Sequence, residues 1–73
     1  MKALYDWRMS LPKPTLAEAA KLLGVSEAQM SRYEAGRRRI APERAIEFER
    51  VTGIPRAVLR PDVFGPVNTE NTV

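Results

Sequence analysis

Apolar residues in this chain recur with a helical period, in short blocks separated by proline and glycine. Leu4, Trp7 and Leu11 stand at i, i+3 and i+7, which predicts a first helix over residues 2–10. Trp7 shares the Leu4/Leu11 face and is expected in the core, whereas Tyr5 is offset from it and exposed. Leu11-Pro12-Lys13-Pro14 stops the helix, because each proline removes an amide and restricts the residue before it. Leu16, Ala19, Ala20 and Leu23 repeat at i, i+3, i+4 and i+7 and predict a second helix over residues 16–23. A third is expected over residues 27–35, with Met30 and Tyr33 facing inward beside Val25. Pro42 and Glu43 suit the first turn of a fourth helix, whose buried face is Ala45, Ile46, Phe48 and Val51 and whose stop is Gly53. Pro55 opens a short fifth helix with Ala57, Val58 and Leu59, and Pro61 ends it. Val63 and Phe64 are expected to fold back onto the core. No segment alternates with period two, so the fold class is all-α, five short helices.

The joint between the second and third helices carries the densest local signal. Thr15-x-x-Glu18 reads as a capping box, in which hydroxyl and carboxylate satisfy opposite orphan amides of the first turn. Gly24 ends the second helix, since a left-handed residue is least costly without a Cβ. Ser26 and Gln29 form a second capping box immediately afterwards, with Val25 and Met30 at the staple positions. Two helices joined by so short a turn cross steeply, the arrangement that presents a second helix to a DNA groove.

Composition narrows the function classes. The chain has 73 residues, no cysteine and no histidine, so neither a disulfide nor a common zinc site is available to stabilise so small a core. Tight helix packing or oligomerisation remains. Catalysis would rest on paired carboxylates, and Glu43 and Glu47, four apart but flanked by Arg44 and Arg50, read as helix-surface charges. No enzyme, cofactor or small-molecule substrate is expected. No apolar run reaches the roughly 20 residues of a membrane span. An acid and an aromatic near the N-terminus do not fit a signal peptide, so the expected location is the cytoplasm, with the nucleoid. Formal net charge is +3, and nine of the twelve cations are arginine. Residues 65–73 hold a single charge, Glu70, show no periodicity and are expected to be a disordered tail after a domain over residues 1–64.

The third helix and the turn after it hold the candidate binding residues. With Met30 and Tyr33 inward, Glu27, Ala28, Ser31, Arg32 and Ala35 line the other side. Small side chains let a helix approach base edges, and a few long ones reach them. Arg32 suits a bidentate pair with guanine, Glu27 a cytosine amine, and Ala28 a thymine methyl. Gln29, at the rim of the cap, reaches either base or phosphate. Arg37, Arg38 and Arg39 follow directly. Three adjacent guanidiniums repel one another and contribute nothing evident to folding, but beside a polyanion each neutralised phosphate releases counterions. Lys13, with the amides that begin the second helix at Thr15, suits a further phosphate. Arg8 and Glu34 read either as two unrelated surface charges or as a pair bridging the first helix to the end of the third, a bridge that a resemblance to helix-turn-helix repressors would imply.

The run from Leu16 to Gly36, with Leu-Gly-Val-Ser and then Ser-Arg-Tyr-Glu-Ala-Gly, resembles the Cro/CI-type (XRE-like) helix-turn-helix. Gly36-Arg37-Arg38-Arg39-Ile40, Pro42-Glu43-Arg44-Ala45-Ile46, Glu49, Thr52-Gly53 and Leu59-Arg60-Pro61-Asp62-Val63-Phe64 resemble the YdaS-like branch of phage Cro proteins. The resemblance implies a lambda-repressor-like domain in a prophage-type transcription regulator. It implies base readout by Glu27, Ala28, Gln29, Ser31 and Arg32, and phosphate contacts from Lys13, Thr15, Arg37, Arg38 and Arg39. The expected partner is double-stranded DNA, bound by a homodimer on a palindrome, with the fifth helix and the segment Val58 to Phe64 supplying the dimer surface. The alternative is an antitoxin or anti-repressor module that binds protein through the C-terminal helices and tail.

Overall fold

The computed structural model describes residues 1–65. Among them are six α-helices and no strand: α1 (Lys2–Met9), α2 (Leu16–Leu23), α3 (Glu27–Glu34), α4 (Pro42–Thr52), α5 (Arg56–Leu59) and α6 (Pro61–Phe64). The chain forms two compact units, Met1–Arg39 with α1 to α3 and Ile40 onward with α4 to α6. The tail expected over residues 65–73 lies, from residue 66, outside the described residues.

In the first unit, α1 and α2 both pack on α3. Leu4, Ala19, Ala20, Leu23, Met30 and Tyr33 are buried, as their spacing requires. A fully buried leucine or methionine contributes about 1.5–3 kcal/mol, so these few side chains carry much of the unit's stability. Trp7 and Leu11 are only half-buried, while Tyr5 is exposed. Helix α1 ends at Met9, and the Ser10 hydroxyl donates to the Trp7 carbonyl at 2.6 Å.

The α2–α3 joint is built from local chemistry. Thr15 Oγ1 accepts from the Glu18 amide at 3.1 Å, but the expected reciprocal half of this box is replaced, because the Thr15 amide donates to Lys13 O at 2.9 Å. Gly24 takes φ +71°, and Val25 N reaches back to Ala20 O at 3.0 Å, satisfying carbonyls the helix end leaves open. The Ser26/Gln29 box is complete, each side chain accepting from the other's amide at 3.1 Å. At the far end of α3, Gly36 is left-handed and Arg37 N bonds Arg32 O at 2.9 Å, the same closure.

The second unit departs from expectation at three points. Pro61 does not merely end α5; it opens α6, so the described helices number six rather than five. Proline at a first helical position forfeits no bond, and it holds the residue before it extended, as Arg60 is at φ −140°, ψ 75°. On the expected buried face of α4, Val51 is exposed rather than buried and Ile46 is only half-buried. A stripe continued at i+3 drifts by about 60° per step on a helix of 3.6 residues per turn, which carries Val51 away from buried Ala45. Val63 likewise stands 48% exposed instead of folding inward, while Phe64 is half-buried with the Arg56 guanidinium 5.6 Å from its ring centre.

Arg60 fastens this unit. It donates to both Asp62 carboxylate oxygens, at 2.8 and 2.7 Å, and to the Ile40 carbonyl at 2.7 Å. The bond to Asp62 raises its pKa above the ordinary arginine value. Glu49 similarly joins α4 to α5, accepting from Arg56 Nε at 2.8 Å and from the Arg56 amide at 3.3 Å.

Candidate nucleic-acid interface

Burial of Met30 and Tyr33 fixes the rotation of α3, and that rotation exposes Glu27, Ala28, Ser31, Arg32 and Ala35. Ala28, Ser31, Arg32 and Ala35, joined by Arg37 from the turn, line an open concavity of about 500 Å³. The residues that line it are two arginines, one serine and two alanines. Glu27 and Gln29 lie on the same helix but do not line it. The Gln29 side-chain carbonyl is held by the Ser26 amide in the cap, which leaves its amide nitrogen as the group not used there. Ala35 was not among the expected contact residues, although its position seven after Ala28 returns it to the same face.

The arginines differ from one another. Among the described residues, no side-chain partner accompanies Arg32, Arg37 or Arg38, whereas Arg39 is engaged. Exposed cations without counterions are available to an anionic partner at no cost in broken ion pairs. Lys13 and Thr15 are both exposed ahead of α2, but neither joins the concavity. Residues 1–39 carry eight Lys/Arg against four Asp/Glu, a net of +4, and residues 40–73 carry four against five, a net of −1. The positive field therefore belongs to the unit that bears α3.

The expected bridge from Arg8 to Glu34 ties α3 to α1. Arg8 Nε donates to Glu34 Oε2 at 2.7 Å and a terminal nitrogen donates to Oε1 at 3.0 Å, a bidentate pair. The other terminal nitrogen donates to the Pro14 carbonyl at 2.9 Å. One guanidinium thus ties α1 to the loop before α2 and to the last residue of α3. The two side chains are 14% and 11% exposed, and the hydrogen bond to Glu34 raises the Arg8 pKa further, against the opposing effect of burial. The Arg8 guanidinium also lies 5.5 Å from the Tyr5 ring centre, a cation–π contact.

No helix among the described residues is long and apolar enough to cross a membrane. No curated protein and no solved structure matches the chain. A family model does: residues 14–68, from the loop before α2 to beyond α6, match the model described as bacterial toxin YdaS. That match takes in most of the chain, including the α2–α3 joint, the arginine turn and the Arg60-Pro61-Asp62 clasp, and the chain therefore belongs to the bacterial toxin YdaS family.

Proposed function

We propose that the protein is a sequence-specific double-stranded DNA-binding transcriptional regulator of the Cro/CI repressor type. In this reading α2 and α3 are a helix-turn-helix, and α3 enters the major groove. The observation that carries it is the concavity on the exposed face of α3, where small side chains lie beside Arg32 and Arg37, neither with a side-chain partner among the described residues. Small residues permit the close approach that a groove demands, and Arg32 supplies the fork that fits guanine. Glu27, Ser31 and the free end of Gln29 complete the base-reading face. Lys13, Thr15, Arg37, Arg38 and Arg39 flank it as phosphate contacts, positioning the helix without reading sequence.

One α3 offers few base contacts, each discriminating by about 1–3 kcal/mol. Two copies on half-sites about one helical turn apart double that discrimination, so the regulator acts as a homodimer on a palindrome. Val58 and Val63, 49% and 48% exposed in a unit of nearly balanced charge, support the segment from Val58 to Phe64 as the surface between copies. The same valines favour the second reading, an antitoxin or anti-repressor module whose C-terminal helices bind another protein. The toxin named in the family's description is said of the family, and such a label depends on the partner encoded beside each member. Selection of bound sequences from a random duplex pool tests the reading. A recovered palindrome supports a DNA-binding homodimer; a pool without enrichment removes it in favour of the protein-binding module.

A further inference from the structure

The chemistry of the α3 concavity is more specific than that of a basic groove. A phosphate subsite would surround its ligand with donors, but two of the five residues here, Ala28 and Ala35, offer only a methyl group. Arg32 lies between them in sequence, and all three line the concavity. At 1.5 Å rise per residue, Ala28 and Arg32 are separated by about 6 Å along α3, and Arg32 and Ala35 by about 4.5 Å. Base pairs follow one another at about 3.4 Å, so an arginine and an alanine of this concavity meet bases one or two steps apart. In the major groove the apolar feature a methyl group can meet is the C5-methyl of thymine, and the feature an arginine fork meets best is the N7/O6 edge of guanine.

We propose that this concavity reads a 5-methylpyrimidine next to a guanine, resting on the DNA-binding reading above. Arg32 takes the guanine, and the methyl group of one flanking alanine, Ala28 or Ala35, meets the pyrimidine methyl. The group recognised is the methyl and not thymine as such. A thymine–guanine step and a 5-methylcytosine–guanine step are therefore equivalent to the protein, and an unmethylated cytosine–guanine step is inferior. Cytosine-5 methylation at that step consequently strengthens binding.

The test uses the full chain and a duplex recovered from the random pool. Each thymine is replaced in turn by deoxyuridine, which removes only the methyl, and binding is followed by fluorescence anisotropy. At one position beside a guanine, loss of the methyl weakens binding about fourfold, the equivalent of one buried methyl-sized group. Replacing the thymine–adenine pair there by 5-methylcytosine–guanine restores affinity to within about twofold of the original duplex, whereas unmethylated cytosine–guanine does not. In Ala28→Gly or Ala35→Gly the thymine-to-uracil ratio falls toward one; being a ratio, it is insensitive to the stability either variant loses. A recovered duplex that binds tightly while every thymine-to-uracil ratio stays at one overturns the inference and leaves the DNA-binding reading standing. A pool that yields no enriched duplex overturns the DNA-binding reading, and the inference with it.

Discussion

Replacing Glu34 by glutamine probes the bridge that ties α3 to α1. The substitution preserves shape and one acceptor, but it leaves the Arg8 guanidinium, 14% exposed, without its counterion and short of one of its two carboxylate bonds. Hydrogen bonds to charged groups contribute about 1.5–3 kcal/mol each, and breaking a fully buried pair costs about 3–5 kcal/mol. The residual exposure of both partners, and the Pro14 carbonyl that Arg8 keeps, place the expected loss at about 2–3 kcal/mol. For a domain of this size each kcal/mol moves Tm by about 4–8 °C, so Glu34→Gln should melt roughly 10–20 °C below the parent. Urea and thermal unfolding are followed by far-ultraviolet circular dichroism and by the fluorescence of Trp7, the one tryptophan, on the same helix as Arg8. Arg8→Met and the double variant complete a cycle that isolates the pairwise energy. A coupling of about 1.5 kcal/mol or more is expected; one below about 0.5 kcal/mol, the level of an exposed ion pair, would refute the claim that this bridge fastens α3 to α1.

Three further outcomes follow from the geometry. Arg38→Ala should weaken all duplexes alike and lower the slope of log affinity against log salt by about 0.9 per protomer; an unchanged slope removes Arg38 from the phosphate contacts. The Arg56 side chain, and after it the Arg56 amide, holds the Glu49 carboxyl below its ordinary value of 4.5. A depressed folded pKa gives stability that is present above the unfolded pKa and lost as pH falls through the folded one. The Tm gap between the parent and Glu49→Gln should accordingly be full at about pH 7 and close toward about pH 3, and a gap constant across that range contradicts the assignment. Gly24→Ala meets no atom within 4 Å at φ +71°, so its cost is conformational alone, about 1–2 kcal/mol, and a Tm equal to the parent's would be inconsistent with that origin.

The parts of the fold legible in the sequence were those specified within a few residues. Ser26 and Gln29, three positions apart, cap α3, and Gly24 and Gly36 close helices through bonds spanning five residues. The charge pattern that joins Arg8 to Glu34 was legible too, although their separation of 26 residues needed a family resemblance to make it specific. What escaped depended on how far a stripe stays in register and on bonds between distant segments. Val51 continued an i+3 series and drifted outward. Pro61 carries both a stop and a start signal, and the two meet at Arg60, whose non-helical backbone ends α5 and opens α6 while its side chain donates to the Ile40 carbonyl 20 residues away. Thr15 carried half of a capping box because its amide found Lys13 first. At the candidate site, the face of α3 followed from period alone, but the gathering of Arg37 into that face required the left-handed Gly36 to turn the chain.

The central claim, that α3 reads bases through Arg32, is tested most directly by one ratio. Affinity for the recovered duplex is divided by affinity for a scrambled duplex of equal length and base composition at fixed salt, in the parent and in Arg32→Ala. The parent should prefer the recovered duplex by about 10³-fold or more. In Arg32→Ala that preference should fall by about tenfold or more per half-site, with scrambled-duplex affinity changed far less. An equal loss on both duplexes, leaving the ratio where it stood, would contradict the claim.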